Sequence, residues 1–167
     1  MQTPICNICL KSGILCQGCE TKLKEGKISK LDLEIARALF ELSKKHHGLE
    51  KLAFKGSMDA GELVIIMVGQ GQIPLILGRG GRLIQEIERL LNAKVRVVEE
   101  GATPRKLAQD ILAPAEVLGV NVLYTKSGHE YRVRVPRSQA RHLARDKERV
   151  QNALNMLTNK KFTVVFE

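Results

Sequence analysis

The sequence predicts an α+β protein in which a small metal-held knuckle precedes two related modules of helices and strands. Three observations carry this prediction. All four cysteines fall within the first 19 residues, as two Cys-x-x-Cys pairs. A glycine corner, Gly78-Arg79-Gly80-Gly81, links a short apolar segment to an amphipathic helix. Beyond Thr103 the pattern of the preceding segment returns at an offset of 66 residues, the signature of an internal repeat. These divide the chain into a knuckle and linker over 1–28, a first module over 29–102 and a second over 103–167.

The knuckle comes first. Cys6 and Cys9, then Cys16 and Cys19, each place two thiolates on one turn, and two such pairs can supply the four corners of a closed tetrahedral site. The spacing fits one structural Zn2+ per chain, with Ser12-Gly13 read as a turn between short strands. Two disulfides, a redox pair or iron–sulfur ligation are the alternatives, and paired disulfides fit poorly with a cytosolic chain. Residues 20–30 read as a lysine-rich linker or short helical extension.

Ser29-x-x-Asp32 then reads as a capping box. It opens a helix to about residue 46, with Leu31, Ile35, Leu39 and Leu42 on one face and Lys44, Lys45, His46 and His47 in its last turn. Leu52–Lys55 is predicted to be a short strand, Met58–Gly61 a turn and Glu62–Val68 an apolar strand. Ile73–Leu77 follows as a short helix, with Pro74 tolerated in the first turn. After the glycine corner, Leu83, Ile84, Ile87, Leu90 and Leu91 mark a helical stripe, and Lys94–Val98 alternates like a strand. In the second module Thr103 caps a helix to about Leu112. Strands at Val117–Tyr124 and Glu130–Val135, helices at Ser138–Ala144 and Glu148–Leu157 and a strand at Phe162–Phe166 complete it.

At the glycine corner, unpaired amides at a helix start suit a phosphate, and Arg79 and Arg82 add charge beside them. The repeat sets Ala144-Arg145-Asp146-Lys147 against this corner. The glycines are gone there, and Asp146 stands where a phosphate would approach.

The charge is +9 with a pI near 9.6, which points to a polyanionic partner. It is uneven. Residues 1–30 carry +3, residues 31–103 balance ten basic against ten acidic side chains, and residues 104–167 carry +6. No apolar run reaches membrane-spanning length and no signal sequence or lipidation motif is visible, so membrane attachment is not expected and the expected compartment is the cytoplasm. Nothing pairs a nucleophile with a base, and the cysteines are used by the metal, so no enzyme is expected. Only 4% of residues are aromatic and none is Trp, which limits base stacking.

The run Ile76-Leu77-Gly78-x-x-Gly81-x-x-Ile84-x-x-Ile87 resembles the core of the KH RNA-binding module, whose GXXG loop clamps a nucleic-acid backbone. The order helix, strand, strand, short helix, GxxG, helix, strand is similar to the second (type II) KH arrangement. Two such modules joined through Ala113-Pro114-Ala115-Glu116-Val117 resemble the tandem KH domains of the NusA transcription elongation and termination factors, and in length the short archaeal NusA-like proteins. The cysteine knuckle is an addition to that pattern.

The resemblance implies single-stranded RNA along the first loop. The amides of Arg79, Gly80 and Gly81 would meet phosphates. Bases would lie on the apolar groove beside Ile76, Ile84 and the edge strand around Val95–Val97, and Gly78, Arg82, Lys94 and Arg96 are further RNA-binding candidates. Arg137, Arg141 and Arg145 of the second module are candidates for a basic stripe. The implied role lies in transcription elongation or termination, with RNA polymerase as partner. A ribosome-associated or ribosome-assembly protein binding rRNA on a ribosomal subunit is the alternative.

Overall fold

Each Cys-x-x-Cys pair starts a helix. In the computed structural model, which describes Met1–Glu167, α1 (Asn7–Ser12) begins after Cys6 and α2 (Gln17–Lys24) after Cys16. The first cysteine of each pair is the N-cap and the second lies three residues on, which brings both sulfurs to the same side of the first turn. The strands expected around Ser12-Gly13 are therefore absent. Gly13 instead closes α1 in the left-handed conformation, φ 75°.

The chain divides into two units, Met1–Asp59 with Val64–Glu100, and Gly101–Glu167 with the Ala60–Leu63 turn. Residues 1–28 belong to the first unit. Ile5, Cys9, Leu10, Cys19 and Ile28 share one apolar cluster with Ile35, Leu39 and Phe54. Gln2 bridges to the backbone beside Ala53, and Arg37 Nη2 donates to Gly13 O at 2.8 Å.

The first unit continues with α3 (Lys30–Ser43). Its capping box is formed: Asp32 N donates to Ser29 Oγ at 3.0 Å and Ser29 N to Asp32 Oδ2 at 2.8 Å. The helix stops at Ser43, short of residue 46, and His47–Lys51 turns as a 3-10 segment that buries Leu49. Strand β1 spans Phe54–Asp59 and pairs antiparallel with β2 (Leu63–Val68), with an irregularity at Phe54/Gly56. It runs beyond the expected Lys55 because the six-residue apolar β2 needs a partner along its length. The turn expected at Met58–Gly61 shrinks accordingly. Then come α4 (Ile73–Leu77), α5 (Arg82–Leu91) and β3 (Lys94–Glu99), with sheet order β1-β2-β3. The central strand β2 is buried along its length save Met67.

The second unit has α6 (Pro104–Leu112), β4 (Gly119–Thr125), β5 (Gly128–Val135), α7 (Ala140–Leu143), α8 (Lys147–Thr158) and β6 (Lys161–Phe166). Thr103 Oγ1 accepts from Lys106 N, as its capping role requires. β4 and β5 form a tight hairpin, β6 runs parallel to β5, and the sheet order is β4-β5-β6. The core is Ile111, Val133, Leu154 and Val164, with Tyr131 stacked on Phe162 at 4.8 Å.

The repeat is visible in detail. Asn92 and Asn159 both end their helices in the left-handed region, φ 49° and 53°. Glu88 Oε1 accepts from Val95 N at 3.0 Å, and Asn155 Oδ1 accepts from Phe162 N at 2.6 Å. These matched pairs set the offset at 67 over the last helix and the closing strand, one residue beyond the 66 read from the sequence.

Candidate nucleic-acid interface and metal centre

The corner between α4 and α5 depends on three glycines with positive φ. Gly78 has φ 71° and ψ −178°, a region only glycine occupies readily, and a Cβ there would stand 2.7 Å from Leu83 Cβ. Gly80, at φ 62°, has nothing within 4 Å of a Cβ. A Cβ at Gly81, φ 72°, would stand 3.9 Å from Ile84 Cγ2. Gly78 is thus required by packing, whereas Gly80 leaves the backbone bare to its surroundings. Gly81 N donates to Gly78 O at a long 3.4 Å and Arg82 N to Arg79 O. The amides of Arg79 and Gly80 have no backbone acceptor, so they and the start of ten-residue α5 form the electropositive part of the corner.

Beside the corner lies a groove of about 680 Å³. Arg79 and Arg82 line it with Leu49, Leu75 and Leu83, and His46 stands at its edge, 3.5 Å from Glu86. His46 was expected to serve the end of α3. Its place here, like that of Leu49, follows from α3 and its 3-10 turn folding back on the corner, which no local pattern records.

The other expected residues separate. Ile76 is fully buried and Val95 and Val97 nearly so. They support the corner from beneath and cannot meet a base. Ile84 is half-buried beside Gly81. Arg96 is half-buried and turns Nη1 to Val95 O at 3.1 Å. Lys94 is exposed and lines a different hollow with Glu88 and Arg89.

The matching corner of the second unit has another conformation. Ala144 and Asp146 are both right-handed, and no residue from 144 to 148 has positive φ, so none matches the glycine corner at either offset. Asp146 Oδ1 is held by Arg149 at 2.9 Å. In α8, Gln151 Oε1 accepts from Val164 N at 2.8 Å. The residue 67 earlier is Ile84, which has no such acceptor, so the first unit offers an apolar flank beside its closing strand where the second has a polar lock. Arg137, Arg141 and Arg145 are exposed and unpaired by acids.

The four cysteines carry no disulfide, and their sulfurs lie within 4.8 Å of one another. Cys6 Sγ is 3.3 Å from Cys9 Sγ and 3.9 Å from Cys16 Sγ. A tetrahedral zinc with bonds of about 2.3 Å has sulfur–sulfur edges of about 3.8 Å, so the donor set fits such an ion. The Cys9 amide draws the Cys6 thiol below its ordinary value, and the Cys19 amide brings Cys16 down to about 7. At Cys9 the Cys16 amide pulls downward, but burial and the neighbouring thiols push the group up to about 12. Four thiolates this close repel one another, and a cation at their centre removes that conflict.

A family model described as KH domain matches residues 63–110, the stretch from β2 into α6 that contains the glycine corner. None of the curated proteins compared with the chain matches it. A solved structure titled "Crystal structure of APE1850" superimposes with a TM-score of 0.54 at 17% identity, over 77% of this chain and 96% of that one, which supports the fold alone. No helix is long and apolar enough to cross a membrane.

Proposed function

We propose that this chain is a non-enzymatic RNA-binding protein that grips single-stranded RNA at the Gly78–Gly81 corner and serves transcription elongation or termination, as its NusA-like resemblance implies. The observation that carries this reading is the corner itself. Gly80 leaves backbone open, the amides of Arg79 and Gly80 lack backbone acceptors, and two arginines line the adjoining groove, all within the matched KH domain. A phosphate placed there meets amides and positive charge without displacing a side chain. The neighbouring bases then run past Ile84 and the groove walls.

In this reading both units are KH modules of the second arrangement, the second having exchanged its clamp for the Asp146–Arg149 pair. The cysteine cluster holds one structural Zn2+, whose part is to fasten α1 and α2 against α3. The setting is cytoplasmic. RNA polymerase is the proposed protein partner.

The direct test is filter binding with single-stranded RNA at moderate salt. The double variant Arg79→Asp, Gly80→Asp puts two carboxylates at the phosphate site and should abolish most binding while the circular dichroism spectrum stays the same. Unchanged affinity would refute the clamp. Purification from cells after nuclease treatment should recover polymerase; recovery of ribosomal subunits in its place would move the protein to ribosome assembly.

A further inference from the structure

We propose that the end of the second unit, where the β4–β5 turn meets the α8–β6 turn, is a separate single-stranded RNA surface that holds a base by stacking. This unit has no clamp at its corner, yet its stretch of the chain carries the excess positive charge. Part of that charge lies at this end, which also carries the exposed Tyr124.

Tyr124 is 80% exposed. Its ring meets His129 edge to face, centroids 4.7 Å apart at 80°, which holds the ring in place without covering it. The turn beneath is tied by Thr125 Oγ1, which donates to Gly128 O at 2.8 Å. A platform already ordered loses little freedom when a base stacks on it. Beside it is a hollow of about 420 Å³ lined by His129, Asn159, Lys160 and Lys161, a volume within the range of sites for small ligands. Lys160 Nζ lies 3.2 Å from Tyr131 Oη and 5.3 Å over its ring centre, so its ammonium is fixed at the edge of the hollow. Lys126 is exposed on the turn without an acidic partner. Lys161 alone is paired, with Glu130 at 3.1 Å.

Three lysines against one carboxylate at the same end as an open ring suit the phosphates and base of a single strand. A protein-docking patch would show the opposite composition, an apolar centre depleted of charge. The surface stands independently of the Gly78–Gly81 corner.

The absence of Trp and the presence of only two Tyr give a direct readout. Tyr131 is 8% exposed, so a change in tyrosine emission on adding oligouridylate reports on Tyr124. The full chain should show quenching that Tyr124→Ala removes. Tyr124→Ala should weaken binding of a long oligouridylate about five- to twentyfold, the loss of one stacked base, with the melting curve unchanged because the side chain is exposed. Tyr124→Phe should keep the affinity. The same comparison repeated on a Gly80→Asp background separates this surface from the clamp. If Tyr124→Ala binds like the parent on both backgrounds, or if polyglutamate quenches and oligouridylate does not, the surface is not one for RNA. Equal losses for Phe and Ala would also overturn it, since they would mean that the hydroxyl and not the ring makes the contact.

Discussion

Gly78 and Gly80 share the left-handed side of conformational space for different reasons, and substitution separates them. A Cβ at Gly78 meets Leu83 Cβ at 2.7 Å from a backbone conformation that L-residues avoid. Gly78→Ala should therefore cost about 2–3 kcal/mol and lower the melting temperature of the first unit by roughly 10 °C or more, which calorimetry would detect. At Gly80 a side chain has room, and aspartate tolerates left-handed backbone. Gly80→Asp should keep the melting temperature within a few degrees while reducing RNA affinity. A melt equal to wild type for Gly78→Ala would show that the corner is softer than its geometry. The sequence shows the GxxG pattern but not this division of labour. The division depends on Leu83 lying under one glycine and open space lying over the other.

At the scale of elements, the knuckle and the first sheet form one packing problem. Cys9 and Cys19 belong to the apolar cluster that contains Ile35 and Phe54. Removing the proposed Zn2+ with a chelator should accordingly lower the stability of the first unit and not merely loosen residues 1–28. Hydrogen exchange would show this as lost protection in α3 and β1, and protection lost only in α1 and α2 would contradict it. The pH dependence follows from all the thiols, of which Cys16 is brought from an ordinary 9.0 down to about 7. Above that value the group is a thiolate ready to ligate. Cys9, held up to about 12, keeps its proton until the ion displaces it, so Co2+ affinity followed by its thiolate absorption should fall with pH throughout, and more steeply below about 7 where Cys16 is protonated as well. Affinity independent of pH between 8 and 6 would exclude a thiolate site.

Much at this scale was readable in advance. The Ser29 capping box, the Pro74 helix, the Thr103 cap and the β4–β5 hairpin are each determined by residues within a few positions. The helices at the cysteines and the full length of β1 were not. Cys-x-x-Cys serves equally a turn between strands and a helix start, and Lys55-Gly56-Ser57-Met58 has no alternation, so only pairing with β2 makes it a strand. Tertiary packing likewise brings His46 to the groove and removes Ile76 from it.

For the whole molecule, the two units repeat one plan with opposite use of their corners. The first, in the neutral part of the chain, has the open glycine corner; the second, in the basic part, has Asp146 tied to Arg149 in its place. Salt dependence reports how the two combine. A strand touching about four to six phosphates should give a slope of about −3 to −4 in log affinity against log salt. A slope near zero would indicate an apolar contact and not a nucleic-acid backbone.

The comparison of the two corners is the most direct measurement. Binding of single-stranded RNA should fall at least tenfold for Gly80→Asp and change less than about threefold for Asp146→Asn if, as proposed, only the first corner clamps a phosphate. Equal effects of the two substitutions, or full affinity in a well-folded Gly80→Asp protein, would contradict it.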